Sequence, residues 1–175
     1  MNLNQDFFAL FGLPWGFRLD RAVLDTAYRQ IQGEVHPDRF ASHSPAEQQR
    51  ALQWATHANE AYQTLKSPLS RARYLLSLHG VDTAEQTNTA MPVDFLMAQM
   101  DWRDEMAAAQ AGRDAEALEA LSHTVCEEAR TLTQALATLL DDEADYPAAA
   151  GLVRKLRFLD KFEQDIGDAL EALLD

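Results

Sequence analysis

Cysteine, glycine and proline are all scarce in this sequence of 175 residues. A single cysteine, Cys126, excludes an internal disulfide and favours a reducing compartment. The 7 glycines and 6 prolines are few, and the prolines stand at apparent element boundaries. That pattern favours helices throughout.

Long apolar runs and an excess of basic residues are missing as well. No apolar run approaches the roughly 20 residues needed to cross a bilayer. The N-terminus has no basic region followed by a long apolar core. The net charge of −13 argues against general affinity for DNA, RNA or anionic membranes, which requires a basic surface. We therefore expect a soluble, cytoplasmic protein that binds neither nucleic acid nor membrane.

The charge is unevenly divided along the chain. Residues 1–79 carry 8 Lys+Arg against 7 Asp+Glu, a net charge of +1. Residues 80–175 carry 7 Lys+Arg against 21 Asp+Glu, a net charge of −14. The two halves are therefore expected to make different electrostatic contacts.

Start and stop signals predict an antiparallel helical hairpin in the N-terminal half. Asp20 is a candidate N-cap for a helix that ends near Val35. Residues 44–47 (SPAE) form a capping box that opens a second helix, which runs to about Leu65. The two helices have facing apolar stripes, and the stripe of the second comprises Leu52, Ala55, Ala58, Tyr62 and Leu65.

Two further helices flank this hairpin. Residues 6–13 (DFFALFGL) form a short apolar helix that must lie across it, and the three phenylalanines of that helix are expected in the core. Residues 67–68 (SP) open a fourth helix, which Gly80 terminates.

The tripeptide His36-Pro37-Asp38 stands in the loop between the two hairpin helices. Proline has no backbone N–H and disfavours the α conformation for the residue before it, so the preceding helix ends here. The hairpin geometry exposes an imidazole and a carboxylate at its tip. With Arg29 and Arg39 nearby, these groups favour recognition of a partner.

The C-terminal half predicts a three-helix bundle. Residues 81–91 are polar and rich in threonine, which predicts a linker. Three helices follow it, over about 92–111, 114–140 and 146–174. We therefore predict an all-α chain with a hairpin domain over 1–80 and a three-helix bundle over 92–175.

Two apolar features of this bundle exceed what its core needs. The first helix carries, opposite its core stripe, a second apolar stripe with acidic flanks: Leu96, Met97, Met100, Asp101 and Asp104. On the last helix Phe158 points about 100° away from the apolar stripe. These residues either dock a partner or are covered by a neighbouring helix and the linker, since two-sided burial is common in bundles.

Nothing in the sequence assembles an active site. There is no glycine-rich phosphate loop, and neither His123 with Cys126 nor His36 with His43 supplies enough ligands for a metal. No nucleophile or electrophile is visible beside His36 and Asp38. We therefore expect no enzyme activity, no cofactor and no metal.

Several segments together resemble a known family. Residues 6–13 (DFFALFGL), 28–29 (YR), 36–40 (HPDRF) and 59–65 (NEAYQTL) resemble the J domain of DnaJ-type co-chaperones. Residues 68–80 (PLSRARYLLSLHG), 94–97 (DFLM) and 153–161 (VRKLRFLDK) are similar to HscB, the co-chaperone family of iron–sulfur cluster assembly. The resemblance covers nearly the whole chain.

The resemblance implies a J domain that stimulates ATP hydrolysis by a specialised DnaK-type chaperone, HscA, and a C-terminal bundle that holds and delivers the cluster scaffold IscU. The residues that would contact the chaperone are His36, Pro37, Asp38, Arg29 and Arg39. Those that would hold the scaffold are Leu96, Met97, Met100, Asp101, Asp104 and Phe158. The alternative is an acidic helical module that tethers two partners without affecting ATP turnover.

Three departures from the family pattern qualify these expectations. Gly33 and Glu34 occupy a stretch that is usually basic, which weakens the electrostatic part of chaperone docking. Ala108 stands where another carboxylate is expected on the scaffold-binding helix. The N-terminal CxxC pair of eukaryotic relatives is absent, which favours a bacterial origin.

Overall fold

The computed structural model describes residues 5–85 and 91–174, and every regular element in those ranges is helical. The predicted all-α class is confirmed. In chain order the helices are α1 (Phe7–Leu10), α2 (Arg21–Val35), α3 (Pro45–Lys66), α4 (Pro68–Leu78), α5 (Val93–Gly112), α6 (Ala115–Thr138) and α7 (Tyr146–Leu174). A 3-10 turn, Pro37–Phe40, separates α2 from α3, and a π-helical turn, Leu139–Glu143, follows α6.

The chain divides into two compact units, Met1–Leu78 and His79–Asp175. Of the segment 81–91, which the sequence predicts to be a linker, residues 86–90 lie outside the described residues. Among the described residues, no helix combines the length and apolarity that a membrane crossing needs.

The helix starts in the first unit follow the predicted caps. Asp20 Oδ1 accepts a hydrogen bond from the Ala22 N–H at 2.8 Å. At α3 the capping box is complete, because Ser44 Oγ accepts from the Glu47 N–H and Glu47 Oε2 accepts from the Ser44 N–H. These bonds from Ser44 lower the pKa of Glu47. The hairpin therefore begins and ends where the sequence predicts.

The core of this unit lies where α1, α2 and α4 pack on α3. Its fully buried large side chains are Phe8, Leu24, Leu65 and Leu76. The prediction that Leu52 belongs to the buried stripe of α3 is wrong, because Leu52 is 61% exposed and Ala51 takes its place. Small alanines at Ala51, Ala58 and Ala61 line the buried face of α3, and small side chains let neighbouring helices approach closely.

Helix α1 is attached to α4 as well as to α3. The Phe7 N–H donates to the Tyr74 hydroxyl at 2.9 Å, and the two rings stack with centroids 4.4 Å apart. Gly12 follows with a φ of +65°, a conformation that glycine adopts without strain. Phe8 and Phe11 are buried as expected, whereas Phe7 is half-buried in this stack.

The second unit packs α6 between α5 and α7. Leu118, Val125 and Leu136 from α6 are fully buried, as are Val153, Leu159 and Ile166 from α7. Helix α5 ends at Gly112, as predicted, with Arg113 in the left-handed conformation. Among the described residues of this unit, no helix packs across the outer face of α5, and Leu96, Met97 and Met100 are exposed there.

Residues 79–85, before the undescribed stretch, lie along α7. The His79 ring stacks on the ring of Tyr146 with centroids 4.1 Å apart. Arg154 Nη1 donates to the Thr83 carbonyl, and Arg157 Nη1 donates to the Glu85 carbonyl, both at 3.0 Å. We call residues 79–85 the strap, since cationic side chains of α7 hold its backbone.

Candidate functional site

The tip of the α2–α3 hairpin presents His36 and Asp38 to solvent. His36 ends α2 with φ −59° and ψ 131°, the extended conformation that a following proline requires. Its Nδ1 accepts a hydrogen bond from the Asp38 N–H at 3.3 Å and lies 3.6 Å from Asp38 Oδ2. The two side chains are 59% and 91% exposed. The loop therefore fixes an imidazole and a carboxylate together while both stay accessible.

Hydrogen bonds tie this loop to both flanking helices. Arg39 Nη1 donates to the Gly33 carbonyl of α2 at 2.9 Å. From α3, Gln48 Nε2 donates to the carbonyls of Ala41 at 3.3 Å and of His43 at 3.1 Å. Hydrogen bonds thus anchor the loop to α2 on one side and to α3 on the other. Gln48 was not predicted from the sequence, since an exposed helical glutamine gives no distinguishing pattern.

The two hairpin helices are also braced by a polar cluster away from the loop. The rings of Tyr28 and Tyr62 stack with centroids 4.0 Å apart, and Tyr28 hydrogen-bonds Asn59. Tyr62 donates to Asp25 Oδ1 at 2.9 Å, and Arg21 pairs with the same oxygen at 2.7 Å. The Arg21 guanidinium lowers the pKa of Asp25. This brace fixes the relative position of α2 and α3 and so supports the loop between them.

The predicted cation Arg29 lies on the exposed side of α2. Its Nε donates to the Asp25 carbonyl at 3.1 Å, which leaves other N–H groups of the guanidinium for contacts. Arg39 is exposed too, although one of its nitrogens is engaged with Gly33. The positive charge near the loop therefore comes from side chains that are partly fixed.

A second candidate surface is the outer face of α5. Leu96, Met97 and Met100 are 41%, 61% and 66% exposed, and Asp101 and Asp104 beside them are exposed as well. Val93, which the sequence analysis did not single out, extends this face at 72% exposure. The excess of apolar side chains predicted from the helical wheel is therefore on the surface of this unit.

Phe158 differs from the other residues of this surface, because it is half-buried. Its ring meets Phe95 edge-on at 5.8 Å and stacks on Phe162 at 5.7 Å. The Arg103 guanidinium lies 5.6 Å from the centre of the Phe158 ring. Phe158 thus packs on the core as well as forming part of the surface.

Leu96 and Phe158 come together in a groove of about 310 Å³ between α5 and α7. The other residues that line it are Glu85, Met91, Gln99, Arg154, Arg157 and Lys161. Met97, Met100, Asp101 and Asp104 are not among the lining residues and lie farther round α5. The predicted scaffold-binding residues therefore form a groove and an adjoining helix face.

The lone cysteine has no metal-binding neighbourhood in the described part of the chain, where no group of three or more His, Cys, Asp or Glu side chains is placed to hold an ion. Burial raises the pKa of the Cys126 thiol, and the negative charge of Glu163 raises it further.

Comparison with known proteins places the chain in a family. A protein from Chromobacterium violaceum described as a co-chaperone protein HscB homolog is 58% identical over 174 residues, which is 99% of this chain and 98% of that relative. The chain belongs to the HscB co-chaperone family. The model of the HSCB C-terminal oligomerisation domain also matches residues 91–167, which lie in the second unit.

Solved HscB structures share the fold. Chaperone HscB from Vibrio cholerae superimposes with a TM-score of 0.84 at 37% identity, covering 97% of this chain and 99% of that one. Human co-chaperone protein HscB gives a TM-score of 0.89 at 30% identity, covering 95% of this chain and 83% of the human one. The architecture is accordingly that of HscB, a J domain followed by a C-terminal helical domain.

Proposed function

We propose that this chain is a bridging co-chaperone that stimulates ATP hydrolysis by an HscA-type chaperone and delivers an IscU-type iron–sulfur cluster scaffold to it. The observation that carries the proposal is the exposed His36–Asp38 pair on a braced hairpin, in a member of the HscB family. The chain itself supplies no reacting group in this proposal. It acts by binding, and the cytoplasm is the compartment we assign to it.

The chaperone-binding site would comprise His36, Pro37, Asp38, Arg29 and Arg39. Docking costs this loop little conformational entropy, because Gln48 already holds its backbone and Arg39 ties it to α2. The exposed Asp38 carboxylate and the His36 ring provide a polar contact of fixed geometry. Such a contact shifts the chaperone toward its hydrolysing conformation if it binds that conformation more tightly than the resting one.

The scaffold-binding site would comprise Leu96, Met97, Met100, Asp101, Asp104 and Phe158. Removing these exposed apolar side chains from water lowers the free energy of the complex with a partner. The flexible methionine side chain also adapts its conformation to the partner surface. Asp101 and Asp104 at the edge favour a partner with basic residues there and oppose an acidic one. The site thus combines an apolar centre with a charged rim, as protein interfaces do.

Titration of a purified IscU-type scaffold tests this half of the proposal. We expect Met97→Ala to weaken binding about tenfold, which corresponds to ~1.4 kcal/mol for an exposed anchor residue. The free energy of unfolding of the Met97→Ala protein should differ from that of the wild type by less than about 0.5 kcal/mol, because Met97 is 61% exposed. Phe158→Ala should weaken binding and also lower stability by roughly 1–3 kcal/mol, because its ring packs on Phe95 and Phe162.

The matched control for these variants is Leu52→Ala, which shortens an exposed side chain of the J domain. Leu52 is 61% exposed, like Met97, and lies on α3, outside the proposed scaffold site. It should leave scaffold affinity unchanged. Equal affinities of the wild type, Met97→Ala and Leu52→Ala proteins would contradict the proposed scaffold surface.

A further inference from the structure

Basic residues are concentrated around one place in the acidic half. Residues 80–175 contain only 7 Lys+Arg against 21 Asp+Glu. If these charged residues were spread at random over the surface, most neighbours of each cation would be acidic. Three of these cations, Arg154, Arg157 and Lys161, line the groove between α5 and α7. Two more lie over aromatic rings beside it, with Lys155 Nζ 5.0 Å from the centre of Phe95 and the Arg103 guanidinium over Phe158.

Two of the groove cations remain accessible to a partner. The Lys161 side chain is 67% exposed and pairs at 2.6 Å with Asp165 one helical turn away. The Arg157 side chain is 48% exposed, and its Nη1 donates to the Glu85 carbonyl of the strap. Its Nε lies 3.8 Å from Glu85 Oε2. The Lys161–Asp165 pair is exposed at both ends and contributes only a few tenths of a kcal/mol, so a partner's carboxylate can compete for Lys161. Arg157 keeps part of its side chain exposed, although its partner Glu85 has a side chain that is only 9% exposed.

One acidic residue, Glu85, lines the groove beside Arg157. The other acidic residues of this surface, Asp101 and Asp104, lie on its opposite side. On α5, Leu96 and Gln99 face the groove. At 100° per residue, Asp104 and Asp101 lie about 80° and about 140° farther round the helix from Leu96. The surface therefore runs from cations on α7, across an apolar strip formed by Leu96 and Phe158, to carboxylates on α5.

We propose that this groove receives an apolar side chain of the scaffold that is flanked by a carboxylate, and that Lys161 and Arg157 pair with that carboxylate. The inference rests on the proposed function, since it specifies the chemistry of the scaffold segment that docks there. With the cations on one side and Asp101 and Asp104 on the other, a scaffold segment turned end for end would meet like charges. Charge complementarity thus sets the orientation of the scaffold as well as its affinity.

Lys161→Gln is the most direct variant, because the Lys161 side chain is 67% exposed and pairs with an exposed residue of its own helix, Asp165. The control is Arg130→Gln, which removes the same charge from an exposed i,i+3 pair with Glu127 on α6, outside the groove lining. Each purified variant is titrated with an IscU-type scaffold at about 0.1 M and about 1 M salt, where the screening length falls from about 10 Å to about 3 Å.

We expect Lys161→Gln to weaken scaffold binding about threefold at the lower salt concentration, and Lys161→Gln with Arg157→Gln about tenfold. At the higher salt concentration the difference from the wild type should largely disappear, because screening removes the charge contribution. Arg130→Gln should bind like the wild type at both. If Arg157→Gln disturbs the strap, the single Lys161→Gln variant still decides the question.

Two results would overturn the inference while leaving the proposed function intact. One is that Leu96→Ala weakens scaffold binding but Lys161→Gln and Arg130→Gln are indistinguishable. The other is that Lys161→Gln binds the scaffold more tightly than the wild type, which would place a cation of the partner in the groove. A wild-type protein that does not bind the scaffold at all would instead contradict the proposed function itself.

Discussion

Arg71 is a cation buried in the N-terminal unit, with only 8% of its surface exposed. Its Nε donates to the Phe17 carbonyl at 2.7 Å and its Nη1 to the Leu65 carbonyl at 2.5 Å. The guanidinium also lies 4.9 Å from the centre of the Phe17 ring. Arg71 thereby joins the loop before α2, the end of α3 and the start of α4, and these contacts set where the hairpin sits on α4.

Replacing Arg71 by methionine should lower the free energy of unfolding of the J domain by about 3 kcal/mol. Methionine keeps the volume but leaves the carbonyls of Phe17 and Leu65 without this donor in a buried site. Urea unfolding followed by circular dichroism measures the change. Arg50→Met, at an exposed position on α3, is the control and should shift stability by less than about 0.5 kcal/mol. Equal effects of the two substitutions would contradict a structural role for the buried guanidinium.

Single residues also mark where sequence reasoning was sufficient and where it was not. The helical wheel separates Met97 and Met100 from the core stripe of α5 but leaves open whether a neighbouring helix covers them, and the structure shows both exposed. It placed Leu52 in the core wrongly, because a wheel favours the larger apolar residue and cannot show that alanines face the neighbouring helices. The bonds of Arg71 and Gln48 to carbonyls outside their own helices depend on how the chain folds around them, so no helical pattern predicts them.

At the scale of elements, the loop that carries His36-Pro37-Asp38 is a hydrogen-bonded connection between α2 and α3. The sequence predicts both of its ends, since Pro37 stops α2 and the Ser44 capping box starts α3. The 3-10 turn between them and the bonds from Gln48 are known only from the structure. Gln48 acts as a positioning residue: it contacts the backbone of the loop, while His36 and Asp38 remain available to a partner.

Gln48→Glu should reduce stimulation of an HscA-type ATPase by roughly fivefold, the equivalent of losing about 1 kcal/mol of hydrogen bonding. The substitution is nearly isosteric, but a carboxylate repels the carbonyls of Ala41 and His43 that the amide now binds. Amide hydrogen exchange over residues 36–43 should become faster, which reports the loop independently of any partner.

The neighbouring Gln49→Glu variant makes the same charge change one residue along α3 and serves as the control. It should retain both slow exchange in the loop and stimulation of the ATPase. If exchange over residues 36–43 is equally slow in the two variants, Gln48 does not position the loop.

The whole molecule combines two units of different charge, a J domain near neutrality and an acidic C-terminal unit. The sequence alone indicates this asymmetry, the all-α class and the family resemblance, because composition, caps and motifs are local properties. The partners of each unit are proposals, and they assign to the J domain the control of ATP turnover and to the acidic unit the choice of client. A module that merely tethers two proteins would have the same two binding surfaces but no effect on turnover.

The steady-state ATPase rate of a purified HscA-type chaperone, measured with the wild type and with His36→Gln, tests this distinction most directly. We predict that the wild-type chain raises the rate at least about fivefold and that His36→Gln does not raise it. The control His123→Gln removes an exposed histidine of α6, outside the proposed sites, and should stimulate like the wild type. If neither the wild type nor His36→Gln raises the rate above that of the chaperone alone, the co-chaperone mechanism is contradicted and the tether is the better account.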